Sequence, residues 1–311
     1  MSSRKFPEKT IIFIIGPTAI GKSEVAVYLA KKINAEIISC DSMQVYKGMN
    51  ILTCKPKRYL TKQVKHHLIG VVPLKKEYNV STFRREAVKR IKKIIKEGRV
   101  PLIVGGTGLY VDVLINGIFK NEARDANLRE RLYKTVNKKG SNYLYDKLRK
   151  LDPAAADKIH PNDIRRIVRA LEVFYLTGKP ISALQKDREG LKDEYSLKIF
   201  CLNMARDKLY KKIDNRIEVM LKRGLIKEVK SILKRHPGKT AFSAIGIKEI
   251  GKYLTNECTL KEAVNAIKMN TRRYAKRQLT WFRKIKCVKW VNVNDSDTPF
   301  KIATRLWRKL S

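Results

Sequence analysis

Two hydrophobic patterns alternate along the first third of the chain. Short apolar runs rich in Ile and Val end at Gly, Ser or Asp, which predicts buried strands over residues 10–15, 35–39 and 100–104. Between the second and third run, residues 83–96 place their apolar side chains on one helical face. A helix that connects two strands in this way predicts a parallel sheet with right-handed crossovers.

The pattern changes after residue 119. Amphipathic spacing without a strong strand predicts helices over 126–138, 142–150 and 162–175, so residues 120–194 are interpreted as an inserted all-helical subdomain. Beyond it, the spacing predicts a strand at 197–202, a helical region at 207–234, helices at 244–253, 260–268 and 271–284, and a strand at 288–293. We therefore predict an α/β fold whose core, a parallel sheet flanked by helices, is formed by residues 1–119 and 195–311.

A glycine-rich segment joins the first predicted strand to a helical pattern. Its residues, Gly16-Pro17-Thr18-Ala19-Ile20-Gly21-Lys22-Ser23, have the spacing of a P-loop. In this setting backbone N–H groups and the positive end of the helix dipole bind phosphate, and Lys22 and Ser23 reach phosphate oxygens and a divalent metal. The segment predicts a bound polyphosphate and leaves open whether it belongs to a nucleotide. The alternative is a chance glycine turn.

Polar residues also follow the other two strands of this region. Asp41 comes after the second strand, and the third ends in Gly105-Gly106-Thr107-Gly108. Ligands gather at the carboxyl ends of parallel strands, so Asp41 and Thr107 are expected beside the P-loop. An aspartate there can hold Mg²⁺ or accept a proton as a general base, or it can simply cap a turn. Arg216 borders the apolar face of its predicted helix and points either into this crevice or to solvent.

Charge changes the picture by adding a second kind of partner. The 311 residues include 69 Lys and Arg against 29 Asp and Glu, a formal net charge of +40. Such an excess favours a polyanionic partner, with nucleic acid first, although solvated lysines are the alternative. Residues 271–283 interleave cations with aromatic side chains, which suits RNA, while the aromatic spacing also suits a core. Arg165, Arg166 and Arg169 form one cationic face on a predicted helix.

The remaining composition bounds the compartment. The five cysteines form no CxxC pair and have no metal-ligand spacing with the four histidines, so reduced thiols are expected. The sequence predicts no signal peptide, and it has no apolar stretch of about 18 residues. We expect a cytoplasmic monomer without a membrane span.

Six blocks occur in order along nearly the whole chain: GPTAIGKS from Gly16, DSMQVYKGMNILTCKP from Asp41, HHLI from His66, GGTGLY from Gly105, HPNDIRRIVRALEVF from His160 and TRRYAKRQLTWFR from Thr271. Together they resemble the bacterial type of tRNA dimethylallyltransferase, also called tRNA isopentenyltransferase. The resemblance implies a P-loop NTPase-like fold. It also implies transfer of a dimethylallyl group from dimethylallyl diphosphate to N6 of the adenosine just 3′ of the tRNA anticodon, with Mg²⁺.

The same resemblance implies roles for individual residues. The P-loop would hold the diphosphate, with Lys22 and Arg216 neutralising it and Ser23 near Mg²⁺. Asp41 would accept the proton of the adenine amine, and Thr18 would position the reactants. The helical insert would bind the anticodon stem-loop. The positions that correspond to tRNA contacts are Asp41, Ser42, Met43, Gln44, Thr107, Arg129, Arg165, Arg166, Ile167, Val168 and Arg169.

Two positions depart from the pattern of that family, and other functions stay open. Gly70 stands where an aspartate commonly follows HHLI, and Ile247 replaces a frequent tyrosine. An isopentenyltransferase acting on free adenine nucleotides shares the P-loop and the acidic motif. An ATP-dependent P-loop kinase shares the P-loop alone. A non-catalytic RNA-binding module needs neither.

Overall fold

The structure, a computed structural model, describes residues 9–119 and 125–310. Its sheet contains six parallel strands in the spatial order β3-β2-β4-β1-β5-β6. The strands are β1 Thr10–Ile15, β2 Ala35–Cys40, β3 His66–His67, β4 Val100–Gly105, β5 Ser196–Asn203 and β6 Val288–Asn292.

Helices connect these strands and make up most of the chain after β4. They are α1 Lys22–Lys32, α2 Arg58–Gln63, α3 Val80–Lys96, α4 Gly108–Ile115, α5 Ala126–Leu151, α6 Pro153–Ala156, α7 Ile164–Thr177, α8 Ile181–Leu184, α9 Arg206–Lys222, α10 Leu225–Lys234, α11 Lys239–Phe242, α12 Ile247–Leu254, α13 Leu260–Phe282 and α14 Pro299–Arg308. The chain divides into two compact units. One combines the sheet-forming segments up to Ile115 and from Leu191 onward, and the other spans Asn116–Gly190.

The central strands of the first unit are buried on both faces of the sheet. Every residue of β1 is buried, and this strand lies between β4 and β5, where Ile14 pairs with Val104 on one side and Phe200 on the other. A parallel strand that is covered on both faces must be apolar throughout, which the sequence of β1 satisfies. Helices supply the cover: α1 packs against α14, and α3 packs against α4 and β4. The predicted parallel sheet flanked by helices is confirmed.

The second unit has its own apolar core, which includes Leu144, Leu148, Ile167 and Leu171. Its long helix α5 is interrupted at Gly140, whose φ of 81° is not helical, so it contains the two segments that the spacing predicts. Helices are the only regular secondary structure among the described residues of this unit. The unit begins four residues before the predicted start of the insert and ends four residues before its predicted end.

Some elements differ from the sequence-based expectations. The helices expected at 260–268 and 271–284 are one helix, α13, because no Gly or Pro separates them. The helical region expected at 207–234 is two helices, since Gly224 takes a left-handed conformation with φ 95° between α9 and α10. The spacing does not predict the two-residue strand β3 or the helices α2, α4, α6, α8, α11 and α14. No helix in the described ranges has the length and apolarity that a bilayer crossing needs.

Candidate active site

Three loops meet where β1, β4 and β2 end. Ile15 pairs with Gly105, and Gly105 pairs with Cys40, so the chain leaves the three neighbouring strands at one level of the sheet. The approach is tight: a Cβ at Gly105 would lie 2.1 Å from the carbonyl oxygen of Cys40. Glycine is therefore required there, and the predicted proximity of the P-loop, Asp41 and Thr107 follows from strand order.

The P-loop presents a row of backbone donors. Gly16, Ala19 and Gly21 all have positive φ, at 149°, 66° and 94°, and Gly21 is the N-cap of α1. Across the described part of the chain, the amides from Ala19 to Ser23 donate to no other protein group. Unpaired amides at a helix N-terminus are ready donors to an anion. This geometry fits a phosphate ligand.

Lys22 holds its ammonium group against the same loop. Its Nζ donates to the carbonyl oxygens of Gly16 and Pro17 at 2.9 and 2.7 Å. Burial lowers the pKa of Lys22 to about 8; the carboxylate of Asp41 opposes this shift and the guanidinium of Arg216 adds to it. The three charged side chains thus act on one another, as expected for groups that share one site.

Arg216 points into the site and contacts the P-loop. From α9, its Nη1 donates to Thr18 Oγ1 at 3.0 Å, and its Nε donates to the sulfur of Cys54 at 2.8 Å. Cys54 ends a turn whose amides at Asn50, Ile51 and Leu52 donate to the carboxylate of Glu228, at 2.8–3.0 Å. A carboxylate on α10 therefore fixes the turn that orients the guanidinium.

Asp41 is oriented by its own turn. Its Oδ1 accepts hydrogen bonds from the amides of Met43 and Gln44 at 2.9 and 3.2 Å. Its Oδ2 receives no hydrogen bond from the residues that the structure describes. The turn is tied to the β4–α4 loop, because the amide of Ser42 donates to Thr107 Oγ1 at 3.1 Å. Asp41 thus combines the alternatives that the sequence leaves open: it caps a turn, and its second oxygen stays available as a proton acceptor.

The neighbours of Asp41 are engaged within the protein. Gln44 donates from Nε2 to the carbonyl oxygens of Thr53 and Cys54, and its Oε1 accepts from Ser39. Met43 packs against the main core. These side chains hold the turn after β2 in place.

In the helical unit, two of the predicted RNA contacts are committed to a buried carboxylate. Glu172 is fully buried and pairs with Arg129 at 2.8 Å and with Arg169 at 2.6 Å. Burial alone would raise the pKa of Glu172, but hydrogen bonds from Arg129 and Arg169 outweigh burial and lower it. Arg129 and Arg169 therefore stabilise this unit, with side chains that stay partly exposed.

The other four predicted contacts of this unit divide into exposed and buried positions. Arg165 and Arg166 are exposed on the first turn of α7, and Arg166 pairs with the N-cap Asp163 at 2.5 Å. Ile167 and Val168 are only 1% exposed and belong to the core of the unit. These two side chains lie on the apolar face of the helix, so an RNA contact at these positions would be made by the backbone and stays a prediction.

The sequence does not identify one residue at the centre of the site. Gln278 on α13 is 4% exposed; its Oε1 accepts from the amide of Thr18 at 2.9 Å, and its Nε2 donates to the carbonyl oxygen of Gly106 at 2.8 Å. A signal is present, since Gln278 lies on the buried face of α13 with Ala275 and Phe282. Of the aromatic residues for which the sequence leaves both RNA contact and core packing open, Phe282 is buried and Trp281 is 40% exposed.

The oxygen donors of the site suit Mg²⁺. Ser23 lies in the first turn of α1, and its hydroxyl makes no hydrogen bond to another described residue. No group of three His, Cys, Asp or Glu side chains that could hold a metal occurs in the described ranges. An ion here would take most ligands from water and phosphate, which Mg²⁺ usually does. Ser23 is the residue that fits such an ion, while the second oxygen of Asp41 stays available as a proton acceptor.

Comparison with known proteins places the chain. A sequence profile of the IPP transferase family matches residues 44–285, and one described as isopentenyl transferase matches residues 9–71. The chain belongs to the IPP transferase family. A tRNA dimethylallyltransferase of Acetivibrio thermocellus is 43% identical over 299 residues, which cover 95% of this chain and 96% of the relative. One of Thermosipho africanus is 47% identical over 283 residues, which cover 91% and 93%.

Solved structures agree. The tRNA isopentenylpyrophosphate transferase of Bacillus halodurans matches with a TM-score of 0.71 and 41% identity, over 98% of this chain and 97% of that one. A eukaryotic dimethylallyltransferase acting on tRNA matches with a TM-score of 0.79 and 30% identity, over 96% of this chain and 77% of that one. The predicted P-loop NTPase-like fold and the family resemblance are confirmed.

Proposed function

We propose that this protein transfers the dimethylallyl group of dimethylallyl diphosphate to N6 of the adenosine 3′-adjacent to the anticodon in tRNA. The observation that supports the proposal is that an anion-binding site and a carboxylate occur together. Unpaired P-loop amides, Lys22 and Arg216 form an anion site, and the carboxylate of Asp41 stands close enough to influence the charge of Lys22. A prenyl transfer to an amine needs both.

The anion site suits a leaving group. As the allylic C–O bond breaks, its electron pair stays on the diphosphate, whose negative charge then grows. Backbone N–H groups, the Lys22 ammonium and the Arg216 guanidinium are fixed donors aimed at such a charge. Mg²⁺, with Ser23 as its protein ligand, would supply further neutralisation of the diphosphate. Because the phosphates depart, no phosphoryl group is transferred.

Asp41 suits the other half of the reaction. N6 of adenine is a weak nucleophile, and it must lose one proton when the new C–N bond forms. The Oδ2 of Asp41 is the acceptor for that proton, and the two amides on Oδ1 set its direction. The target base must leave its stack to reach this position, as bases generally do in modifying enzymes.

The helical unit suits the anticodon stem-loop. Arg165 and Arg166 are exposed, and the ion pairs to Glu172 hold α7 beside α5. Arginine side chains on a fixed helix can contact phosphates and contribute affinity that falls with salt. The net charge of +40 favours such a partner over a free nucleotide.

The decisive experiment supplies the protein with dimethylallyl diphosphate, Mg²⁺ and one acceptor at a time. Mass spectrometry of digested tRNA should show N6-dimethylallyladenosine, and a tRNA in which guanosine replaces the target adenosine should gain nothing. Modification of AMP but not tRNA would overturn the proposal in favour of a nucleotide-specific transferase. Phosphate release from ATP without prenyl transfer would indicate a kinase or ATPase.

A further inference from the structure

Gln278 bridges two loops of the candidate active site. Its side-chain carbonyl accepts from the Thr18 amide in the loop after β1, and its amide donates to the Gly106 carbonyl in the loop after β4. The residue itself belongs to α13, which enters the sheet unit from much later in the chain. One buried side chain thus joins three separate segments.

The β4–α4 loop is shaped to admit this helix. A Cβ at Gly106 would lie 2.2 Å from Nε2 of Gln278, and a Cβ at Gly108 would lie 2.3 Å from the indole of Trp281. Neither separation is tolerated between non-bonded atoms, so a side chain at Gly106 would displace the Gln278 amide and one at Gly108 would displace Trp281. Tyr274, one turn earlier on the same face, interacts with Thr107. Gly106 and Gly108 therefore serve the approach of α13.

The chemistry of the bridge specifies an amide. One partner is an N–H donor and the other a C=O acceptor, so the bridging side chain must accept at one atom and donate at the other without charge. Glutamine does both in this space. Methionine has similar length and does neither, and an ionised glutamate accepts at both ends.

The bridge also determines which P-loop donors remain for a ligand. The amide of Thr18 is used by Gln278, whereas those from Ala19 to Ser23 are not used within the described chain. The hydroxyl of the same Thr18 receives Arg216. A shift of Thr18 would therefore displace the guanidinium as well as the start of the P-loop.

We propose that Gln278 is a positioning residue for the transfer reaction. It holds the anion site, through Thr18 and Arg216, at a fixed distance from the loop that carries Thr107 and supports the turn of Asp41. This inference rests on the proposed function. Gln278 touches neither the leaving group nor the amine, so its effect should appear in the rate of the chemical step.

The test compares Gln278→Met and Gln278→Glu with wild type and with Gln63→Glu. Gln63 is an exposed residue of α2, so its variant adds the same charge outside the site. Single-turnover rates should fall about 100-fold for Gln278→Met, the loss typical of reactants misplaced by about 1 Å. The tRNA dissociation constant should stay close to wild type, whereas the melting temperature should fall, because the Thr18 amide and the Gly106 carbonyl lose their buried partner. Gln63→Glu should match wild type throughout. Gln278→Glu keeps the acceptor for Thr18, and it should still lose activity because the Gly106 carbonyl then faces a second acceptor.

Two results would overturn the inference. One is a folded Gln278→Met protein whose single-turnover rate equals that of wild type, whether or not its tRNA affinity falls. The other needs no variant: amide hydrogen exchange of the wild-type protein should show Thr18 protected relative to Ala19, and equal exchange would show that the bridge does not exist. This measurement decides the matter if the variants fail to fold. A wild-type protein that transfers no prenyl group would refute the proposed function instead, and the exchange result would still be informative.

Discussion

Raising the pH through 8 should remove the charge of Lys22 and most of the transfer activity. Burial lowers the pKa of this lysine from 10.5 to about 8. At about 1.4 kcal/mol per pKa unit, this shift means that the site disfavours the charged form by about 3 kcal/mol. Above pH 8, the fraction of protein with a protonated Lys22 therefore falls about tenfold for each pH unit.

The assay is kcat/KM for dimethylallyl diphosphate at saturating tRNA, measured from neutral to alkaline pH. We expect a decline with a midpoint near 8, because this parameter reports groups of the free enzyme. The midpoint in kcat should lie higher, since a bound diphosphate favours the ammonium. In Lys22→Arg the decline should disappear, because a guanidinium stays protonated. Lys22→Met should be slow at every pH.

The free energy of unfolding serves as a control, because the contribution of Lys22 to it changes with pH in the opposite direction to the activity. The unfolded chain keeps the Lys22 proton up to pH 10.5 and the folded protein releases it near 8. Between these values the unfolded state binds more protons, so the contribution of Lys22 to the free energy of unfolding rises with pH. A decline in activity that arises from this group is therefore not due to unfolding, which melting curves at each pH can check. An identical alkaline decline in Lys22→Arg, or a flat wild-type profile, would refute the reasoning.

Four further variants test other parts of the protein. Asp41→Asn keeps a hydrogen-bond acceptor for the turn but removes the group that takes the proton. The kcat should therefore fall about 10²- to 10⁴-fold with unchanged tRNA affinity. Rapid turnover in steady-state assays would exclude the role of Asp41 as a base. Glu228→Ala leaves three amides without their acceptor, so the free energy of unfolding should fall by about 1–3 kcal/mol. KM for dimethylallyl diphosphate should also rise. Unchanged denaturant unfolding curves would contradict this prediction. Replacing Arg165 and Arg166 together by Ala should weaken tRNA binding and reduce its salt slope by about 1 for each phosphate that is no longer neutralised. Arg169→Ala should mainly lower the melting temperature. If binding assays respond to Arg169→Ala and melting assays to the double variant, these assigned roles are wrong.

The sheet is largely predictable from the sequence, because its strands are buried on both faces. Such strands appear as continuous β-branched runs, and β1 has the predicted bounds at both ends. The two residues of β3 are too short for any periodicity, and their pairing with β2 depends on the tertiary fold. The pattern divides the single helix α13 in two because its apolar stripe is weak near Met269, which is exposed.

The candidate site is predictable only in part. Loops at the ends of strands carry local signatures, so the P-loop, Asp41 and Thr107 can be placed together because parallel strands end at one edge of the sheet. Gln278 and Glu228 act through partners far away in sequence, and so does Glu172 through Arg129, so nothing local in their segments identifies those partners. A buried polar residue in an apolar stripe shows only that some partner exists.

The hydrogen bonds of the site link its two chemical halves. Arg216 is bound to Thr18, Thr18 to Gln278, and Gln278 to Gly106. The next residue, Thr107, receives the amide of Ser42 at the start of the turn that orients Asp41. A displacement needs leaving group and proton acceptor on opposite sides of the reacting carbon and nitrogen, so a rigid link between them contributes directly to the rate. Interruption of this link at any member should therefore slow the chemical step more than it weakens the binding of either substrate.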